Sequence, residues 1–444
     1  MSESRRQIKL GMFLRPAGHH LAAWRHSGAQ ADAGVNFRHF VQVAHTAERG
    51  LFDMLFSADS ATANAVFNDN GLRRMSYVAW IEPFTLLAAL AAVTTHIGLA
   101  CTASTTYEEP FSLARKFASL DHVSGGRAAW NLVTTGNHTA AQNFSRSAHP
   151  QKVDRYHRAR EFADVVLGLW DSWDDDAFVR DRESGIFFDP RKLHTLAHEG
   201  EHFSVMGPLN VARSPQGRPV MVQAGASDDG RALAAETAEV VFAAASTLAD
   251  AQAFYADVKG RMATFGRAPD ELKIMPGFFL TVAPTRSEAQ EKHEFLQSLL
   301  HPEVGLALLE QRTGLDLSGH DVDGPFPELP PGEPVSSRAT LIRNMALKDH
   351  LTIRQTWERI AGGRGHFDFH GSATDVADVM EEWFLKGGAD GFNIMPPVMP
   401  GGLDDFVALV VPELQRRGLY RTRYEGTTLR EHLGLKRPPS RHAI

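Results

Sequence analysis

The stretch HIGLACTASTTYEEPFSLARKFASLDHVSGGRAAWNLVTT (96–135) contains a strand, a helix and a second strand in succession. Its two ends, 96–105 and 127–135, are apolar runs of the length and composition typical of buried strands. The segment between them, 110–124, is predicted as a helix because its apolar residues recur at helical spacing. Two buried strands joined by a helix predict parallel pairing in an α/β fold.

The same alternation extends along the chain in both directions. Eight such strand and helix units in order predict a (β/α)8 TIM barrel, formed by one domain that spans 1–444. The alternative is a doubly wound open sheet, which usually has fewer strands and often a glycine-rich first turn, whereas the first turn here is RPAGHH (15–20). The predicted strands are 8–14, 52–58, 96–105, 127–135, 220–226, 239–245, 272–283 and 391–398.

The chain has 444 residues, whereas a minimal barrel needs ~250. Length alone would suggest two or three domains. The order of the predicted strands places the excess in three insertions of one barrel and in a C-terminal tail. We expect the insertions to form the substrate pocket and subunit contacts. They lie at about 60–80 after the second strand, 174–219 after the fourth helix and 284–370 after the seventh strand, and the tail is about 420–444.

The composition argues against several classes of protein. With 43% hydrophobic residues and a net charge of −7, the sequence is typical neither of disorder nor of nucleic-acid binding. The one cysteine, Cys101, excludes an intrachain disulfide framework, and its place in a predicted buried strand favours packing over nucleophilic catalysis. No apolar run reaches the ~18 residues of a membrane helix, and the first residues lack the apolar region of a secretory signal. We expect a cytoplasmic globular protein.

Several short motifs do not have the context that their chemistry needs. HEGEH (198–202) matches the zinc-protease pattern, but that site requires a helix, and Gly200 followed by FSVMGP is typical of extended chain and a turn. We therefore predict a loop there and no metal. No Gly-x-Gly-x-x-Gly follows a strand, and no phosphate-binding P-loop is present. GASDDG (225–230) is not a nucleophile elbow, because Asp229 occupies the final glycine position.

The side chains that follow the predicted strands are mostly uncharged hydrogen-bonding groups. Catalytic residues of α/β barrels cluster at this end of the strands. The set lacks the paired carboxylates of glycoside hydrolysis and suits a large planar heterocycle that carries the chemistry itself. The candidates are His19 and His20 after the first strand, Asp59 after the second, Thr105 at the third, Asn131 in the fourth and Ser227 after the fifth.

Each candidate also has an ordinary structural explanation. Ser227 is either a helix N-cap or part of an anion site built from free backbone N–H groups, and its spacing favours neither. Lys152, Arg155 and Tyr156, at the start of the fourth helix, form either a second anion-binding cluster or a solvated helix start. Asp59 either contacts a bound ring or caps a loop. The two adjacent histidines act either in proton transfer or in loop packing.

Six segments together resemble one known family, the nitrilotriacetate monooxygenase, pristinamycin synthase and dibenzothiophene-sulfone monooxygenase family. It belongs to the bacterial-luciferase-like superfamily of flavin-dependent barrels, and the resemblance spans about residues 8 to 435. The segments are RPAGHHLAAWRH (15–26), FSADS (56–60), TASTTYEEPFSLARKFASLDHVSGGRAAWNLVTT (102–135), RYHRAREF (155–162), GPLNVARSPQGRPVMVQAGAS (207–227) and GADGFNIMPP (388–397).

The resemblance implies an FMN-dependent two-component monooxygenase. A separate NAD(P)H:flavin reductase would supply reduced FMN, which agrees with the missing dinucleotide motif. The enzyme would use O2 to oxygenate a small organic substrate through a 4a-peroxyflavin, in a site that excludes water. Relatives form dimers or tetramers, so a homodimer or homotetramer is expected. The alternatives are a deazaflavin-dependent hydride-transfer oxidoreductase and a non-catalytic flavin-binding protein.

The resemblance also implies residue roles. Asp59 matches an aspartate near the flavin, Thr105 a flavin-contacting position and Asn131 an asparagine at the edge of the flavin ring. Tyr156 and Ser227 match residues at the phosphate. The resemblance therefore favours an anion site at Ser227 over a helix N-cap alone.

Two further positions follow from the same resemblance. Lys152 stands where many relatives have histidine and would bind the phosphate as a point charge. His19 and His20 fall where relatives line the substrate side of the flavin, so they are the candidate acid and base groups.

Overall fold

The computed structural model describes residues 6–63, 69–327 and 337–443, with side chains described for all of these except 69–70 and 337–341. Parts of the first and third predicted insertions therefore lie outside the described residues. The strands are β1 (Lys9–Phe13), β2 (Met54–Ser57), β3 (Gly98–Ser104), β4 (Ala128–Val133), β5 (His198–Glu199), β6 (Ser204–Val205), β7 (Val220–Gln223), β8 (Val240–Ala243), β9 (Lys273–Val282), β10 (Phe367–Gly371) and β11 (Gly391–Met395).

The helices alternate with the strands and cover the outside of the sheet. In the described ranges none of them is both long and apolar enough to cross a membrane. They are α1 (Phe37–Arg49), α2 (Asp69–Leu72), α3 (Pro83–Ala91), α4 (Pro110–Ser124), α5 (Lys152–Trp170), α6 (Asp228–Thr237), α7 (Leu248–Met262), α8 (Arg286–Ser298), α9 (Pro302–Thr313), α10 (Ser337–Lys348), α11 (Ile353–Ala361), α12 (Ala373–Leu385), α13 (Gly401–Asp405), α14 (Val411–Arg416) and α15 (Leu429–Leu433).

Eight parallel strands close into a barrel. Their order around it is β1, β2, β3, β4, β7, β8, β9 and β11, and β11 pairs again with β1. Each of the eight predicted strands contains one of these strands, so the predicted (β/α)8 barrel is confirmed. The barrel forms because each strand is a buried apolar run followed by a helix that packs back on the sheet.

A ninth parallel strand was not predicted. β10 pairs with the last five residues of β9, the final three of which extend beyond both barrel partners of β9. The sequence of β10, FDFHG, alternates apolar and polar residues and is only half-buried, so it lacks the apolar run that marks the barrel strands. β10 instead becomes a strand because the long neighbouring strand β9 offers backbone N–H and C=O groups with which it can pair.

The third insertion has a small hydrophobic core of its own. Helices α9 and α11 contribute Leu308, Leu309 and Trp357 to it, and these pack with Leu21 and Tyr77 from the segments after β1 and β2. The insertion therefore lies over the carboxyl end of the barrel strands, where the first two strand-to-helix loops also run.

The C-terminal tail lies at the opposite end of the barrel. A Cβ added to Gly98, the first residue of β3, would lie 2.5 Å from Leu429 in α15, so glycine permits the helix to pack against the strand ends. Lys9 donates from Nζ to the backbone oxygen of His432 at 2.7 Å. Below the barrel, the buried Asp53 carboxylate forms an ion pair with Arg421. The tail closes the amino end of the barrel, where the second insertion contacts it through Asp175 and Arg213, and leaves the carboxyl end to the first and third insertions.

Candidate active site

A cavity of about 1050 Å³ opens at the carboxyl ends of β2, β3 and β4. Three phenylalanines form its floor: Phe13, Phe56 and Phe242 have ring centroids 5.1 to 5.2 Å apart, packed edge to face. They come from inward positions at the ends of β1, β2 and β8. Such a floor supplies an apolar surface on which a planar ring can lie.

The wall of the cavity on the β3 and β4 side is polar. Asn131 is 2% exposed and donates from Nδ2 to Thr102 Oγ1 at 2.8 Å. Its other atom, Oδ1, is buried and has no hydrogen-bond partner among the described residues. A buried amide oxygen without a donor costs free energy, so this atom is suited to accept an N–H group from a bound molecule.

Asp59 lines the same cavity just beyond β2. Burial raises the pKa of its carboxyl group, and the nearby carboxylates of Glu82 and Glu108 raise it further. The two glutamates also line the cavity. This side of the site therefore disfavours a second negative charge and favours hydrogen-bonding groups of a neutral ring.

A smaller cavity of about 220 Å³ adjoins the first and shares Val133 and Thr134 with it. Tyr156, Gly225 and Gly230 line it, so it lies between α5 and the start of α6. Two glycines are needed here, because a Cβ on either one would come within 2.9 Å of the Cα of the other.

Ser227 is the N-cap of α6. Its Oγ accepts a hydrogen bond from the Gly230 N–H at 3.3 Å and donates to the Tyr156 hydroxyl at 3.3 Å. Lys152 lies nearby, with Nζ 3.3 Å from Asp229 Oδ2 and 5.9 Å from the Tyr156 ring centroid. The structure thus brings the three residues predicted at the phosphate to one helix start.

Comparison with known proteins agrees with this architecture. Residues 17–345 match the family described as luciferase-like monooxygenase. The chain belongs to this family. N-acetyl-S-(2-succino)cysteine monooxygenase of Bacillus subtilis (strain 168) is 52% identical over 446 residues, covering 100% of both chains. Nitrilotriacetate monooxygenase component A of Aminobacter aminovorans is 49% identical, covering 98% of this chain and 97% of the relative.

A solved structure of similar fold is a riboflavin lyase with modified FMN and its substrate riboflavin. It is 33% identical, with a TM-score of 0.83 over 98% of this chain and 97% of that one. The family predicted from the six sequence segments is confirmed, and the chain is a flavin-dependent monooxygenase of the luciferase-like family.

Thr105 lies outside the lining of both cavities. It is fully buried, and its N–H and Oγ1 both donate to the Val133 oxygen, at 3.0 and 3.3 Å. Thr105 comes directly after the end of β3, whereas the last three residues of the strand, Thr102, Ala103 and Ser104, line the main cavity. The flavin contact expected of Thr105 stays a prediction.

His19 and His20 lie in the loop after β1 and are almost fully buried. Arg364 donates to His19 Nδ1 at 3.1 Å, so the proton is on Nε2, which donates to the Phe13 oxygen at 2.9 Å. The Ala22 N–H donates to His20 Nδ1 at 3.1 Å, and His20 Nε2 donates to Gln297 at 3.1 Å. Burial lowers the pKa of both rings, that of His20 to about 4. Both imidazoles are therefore neutral with both nitrogens occupied.

The HEGEH segment forms the β5–β6 hairpin rather than a plain loop. His198 Nε2 lies 3.0 Å from Glu161 Oε1 on α5, and Glu161 also accepts the His202 and Phe203 N–H groups at 2.9 Å. Within the described part of the chain, no three potential ligands come together to hold a metal ion.

Sequence reasoning missed the aromatic floor. Phe13 and Phe56 lie in predicted strands, and the signal that could have found them is their alternate inward position at the last residues of those strands. Phe242 has the same position in β8.

Proposed function

We propose that this luciferase-like monooxygenase is the oxygenase component of an FMN-dependent two-component system. A separate NAD(P)H:flavin reductase would provide reduced FMN, and O2 would oxygenate a small organic substrate. The observation that carries the proposal is the unpartnered Asn131 oxygen above an aromatic floor, in a cavity that continues to the start of α6. Support also comes from the FMN of the riboflavin lyase structure and from the relative named component A.

The residues fit a flavin mononucleotide along the length of the two cavities. Phe13, Phe56 and Phe242 would support the ring, and Asn131 Oδ1 would accept an N–H from its edge. The Ser227 and Tyr156 hydroxyls and the first turn of α6 would bind the phosphate, because a helix start offers free N–H groups and positive potential. Lys152 would act there as a mobile point charge, provided that it leaves Asp229.

Reduced FMN, when bound, supplies the activation of O2. The chain positions the ring and excludes water from it, and the buried floor and the insertion above it serve that purpose. His19 and His20 remain our candidates for proton transfer. Each must release one of its two hydrogen bonds to take up a proton, so protonation would accompany a local rearrangement.

Anaerobic titration with reduced FMN tests the proposal. We expect saturable binding at micromolar concentration and, with a flavin reductase, NADH and labelled O2, transfer of one oxygen atom to the substrate. Absence of reduced-flavin binding would reject it. Consumption of reduced deazaflavin without O2 would favour a hydride-transfer enzyme. Flavin binding without oxygen transfer to any member of a substrate panel would favour a non-catalytic flavin-binding protein.

We also infer a homodimer or homotetramer. The second insertion exposes Ile186, Phe187 and Met206, each with more than half of its side chain accessible. Exposed apolar side chains of this size are a feature of contacts between subunits. Light scattering of the purified chain measures the mass directly, and a monomer at micromolar concentration would contradict the inference.

A further inference from the structure

Two arginine side chains lie next to Phe13 of the aromatic floor, just outside the residues that line the main cavity. The Arg15 guanidinium carbon is 5.4 Å from the ring centroid of Phe13. Arg364, in the turn before β10, donates to His19, whose ring lies 4.5 Å from that of Phe13. Both guanidinium groups flank one further ring, since they lie 5.1 and 5.7 Å from the centroid of Tyr77. Three separate segments therefore bring two positive charges to one place.

Neither arginine has a carboxylate partner among the described side chains. Within the described ranges, no ion pair includes Arg15 or Arg364, and the Nε atom of each is buried without a hydrogen-bond partner. Of the other arginines buried in the barrel, Arg127 also has no ion pair within those ranges, but its guanidinium donates to four carbonyl oxygens and to the Thr94 hydroxyl. Three others have a carboxylate partner. Arg213 pairs with Asp171, Arg421 with Asp53 and Arg430 with Glu239.

The neighbouring groups do not supply the missing negative charge. The Tyr77 hydroxyl donates to the Gly18 oxygen at 2.5 Å and is thus held as a neutral phenol. His19 and His20 are neutral, and Asp368 accepts from the Gly363 N–H at 3.1 Å and pairs with neither arginine. Burial and the charge of Arg364 lower the pKa of Arg15 to about 10, which leaves it charged at neutral pH.

Two like charges enclosed without a counter-ion destabilise a folded protein. Such an arrangement is typical of a functional site, where a ligand completes the charge balance. An arginine with free Nε and Nη donors has the planar fork that matches a carboxylate in a two-point hydrogen bond.

We propose that Arg15 and Arg364 bind a carboxylate of the substrate, so that this monooxygenase acts on an organic carboxylic acid. The inference rests on the proposed function, because the floor beside the arginines is the proposed flavin platform. The carboxylate anchors the substrate next to Phe13, and the rest of the molecule extends over the floor toward the reacting edge of the ring. A neutral analogue of equal size leaves both arginines uncompensated and binds more weakly.

Calorimetric titration of the FMN-loaded protein tests this assignment. The probes are succinate, citrate and nitrilotriacetate, with succinamide as the uncharged analogue of the first. We expect at least one acid to bind more tightly than the amide. Arg15→Met and Arg364→Met, which keep the apolar stem, are expected to weaken that binding about 10- to 100-fold. Arg364→Lys keeps the charge without the fork and should lose less.

Arg191→Met is the matched control, since Arg191 is 87% exposed and pairs with Asp189 away from the cavity. It is expected to leave acid binding unchanged, and circular dichroism shows which variants fold. If an arginine variant does not fold, the corresponding lysine variant replaces it.

Three results would overturn the assignment. The first is that the acids bind no better than succinamide, and the second is that acid binding survives both methionine variants. The third is that the arginine variants lose affinity for FMN but not for riboflavin, because the arginine pair would then bind the FMN phosphate. Failure of the proposed function is distinguishable. In that case FMN does not bind, while arginine-dependent acid binding by the FMN-free chain still supports the carboxylate site.

Discussion

Replacing Ser227 by alanine removes two hydrogen bonds at the start of α6. The Gly230 N–H loses its acceptor and the Tyr156 hydroxyl loses a donor, both now at 3.3 Å. Loss of a serine N-cap lowers the free energy of unfolding by ~1 kcal/mol. If the same hydroxyl binds the FMN phosphate, a charge-assisted hydrogen bond worth about 1.5–3 kcal/mol is also lost, and the dissociation constant of FMN rises about 10- to 100-fold.

Tyr156→Phe keeps the ring in the smaller cavity and removes only the hydroxyl. We expect a similar loss of FMN affinity with little change in stability, because Tyr156 caps no helix. The two hydroxyls contact each other, so the double variant should lose less affinity than the sum of the single losses.

Fluorescence titration with FMN and chemical denaturation measure the two effects separately. Thr428→Ala is the control, since Thr428 caps α15 at the amino end of the barrel, opposite the cavity. It is expected to lower stability by a similar amount and to leave FMN affinity unchanged. If Ser227→Ala and Tyr156→Phe both bind FMN as the unmodified chain does, the phosphate is elsewhere and Ser227 is an N-cap only.

Three further predictions concern stability and metal content. Burial raises the pKa of Asp368 to about 7, from a value near 4 in the unfolded chain. The folded chain therefore binds the carboxyl proton more tightly than the unfolded chain does, and the free energy of unfolding falls as the pH rises from about 4 to about 7. Asp368→Asn should remove that part of the fall, which thermal melts from acid to neutral pH detect; an unchanged slope would contradict it. Arg421→Met leaves the buried Asp53 carboxylate unpaired and should lower the free energy of unfolding in urea by about 3–5 kcal/mol, whereas a loss under ~1 kcal/mol would contradict this prediction. Dialysis against a chelator is expected to leave FMN affinity unchanged, and a loss restored by zinc would revive a metal site at HEGEH.

The barrel could be predicted from the sequence because its strands are buried on both faces. Such strands are continuous apolar runs, as in 127–135, and each is legible without its neighbours. β10 could not be predicted in this way, because FDFHG gains its strand conformation from pairing with the protruding end of β9. A strand could therefore be predicted where its burial requires an apolar sequence, and could not be predicted where only pairing with a neighbouring strand makes it extended.

The candidate site divides along similar lines. Asp59 and Asn131 follow directly from strand ends, and the structure places both on the main cavity. The flavin contact of Thr105 is expected from the resemblance alone; the residue lies just after β3 and donates to the Val133 oxygen, whereas Thr102 and Ser104 at the strand end line the main cavity. The orientation of a strand residue needs the register of the sheet.

HEGEH and the arginine pair show why a motif and a site are different things. HEGEH has the letters of a metal site, but a two-stranded hairpin holds His198 against Glu161, and its helix-dependent geometry never forms. Arg15 and Arg364 share no motif and are 349 positions apart, yet barrel closure places β1 next to β11 and the insertion beside both. A motif indicates chemistry only if the local backbone supports it, whereas charges without partners indicate chemistry wherever the fold assembles them. The arginine pair is for that reason the stronger guide to the substrate of this enzyme.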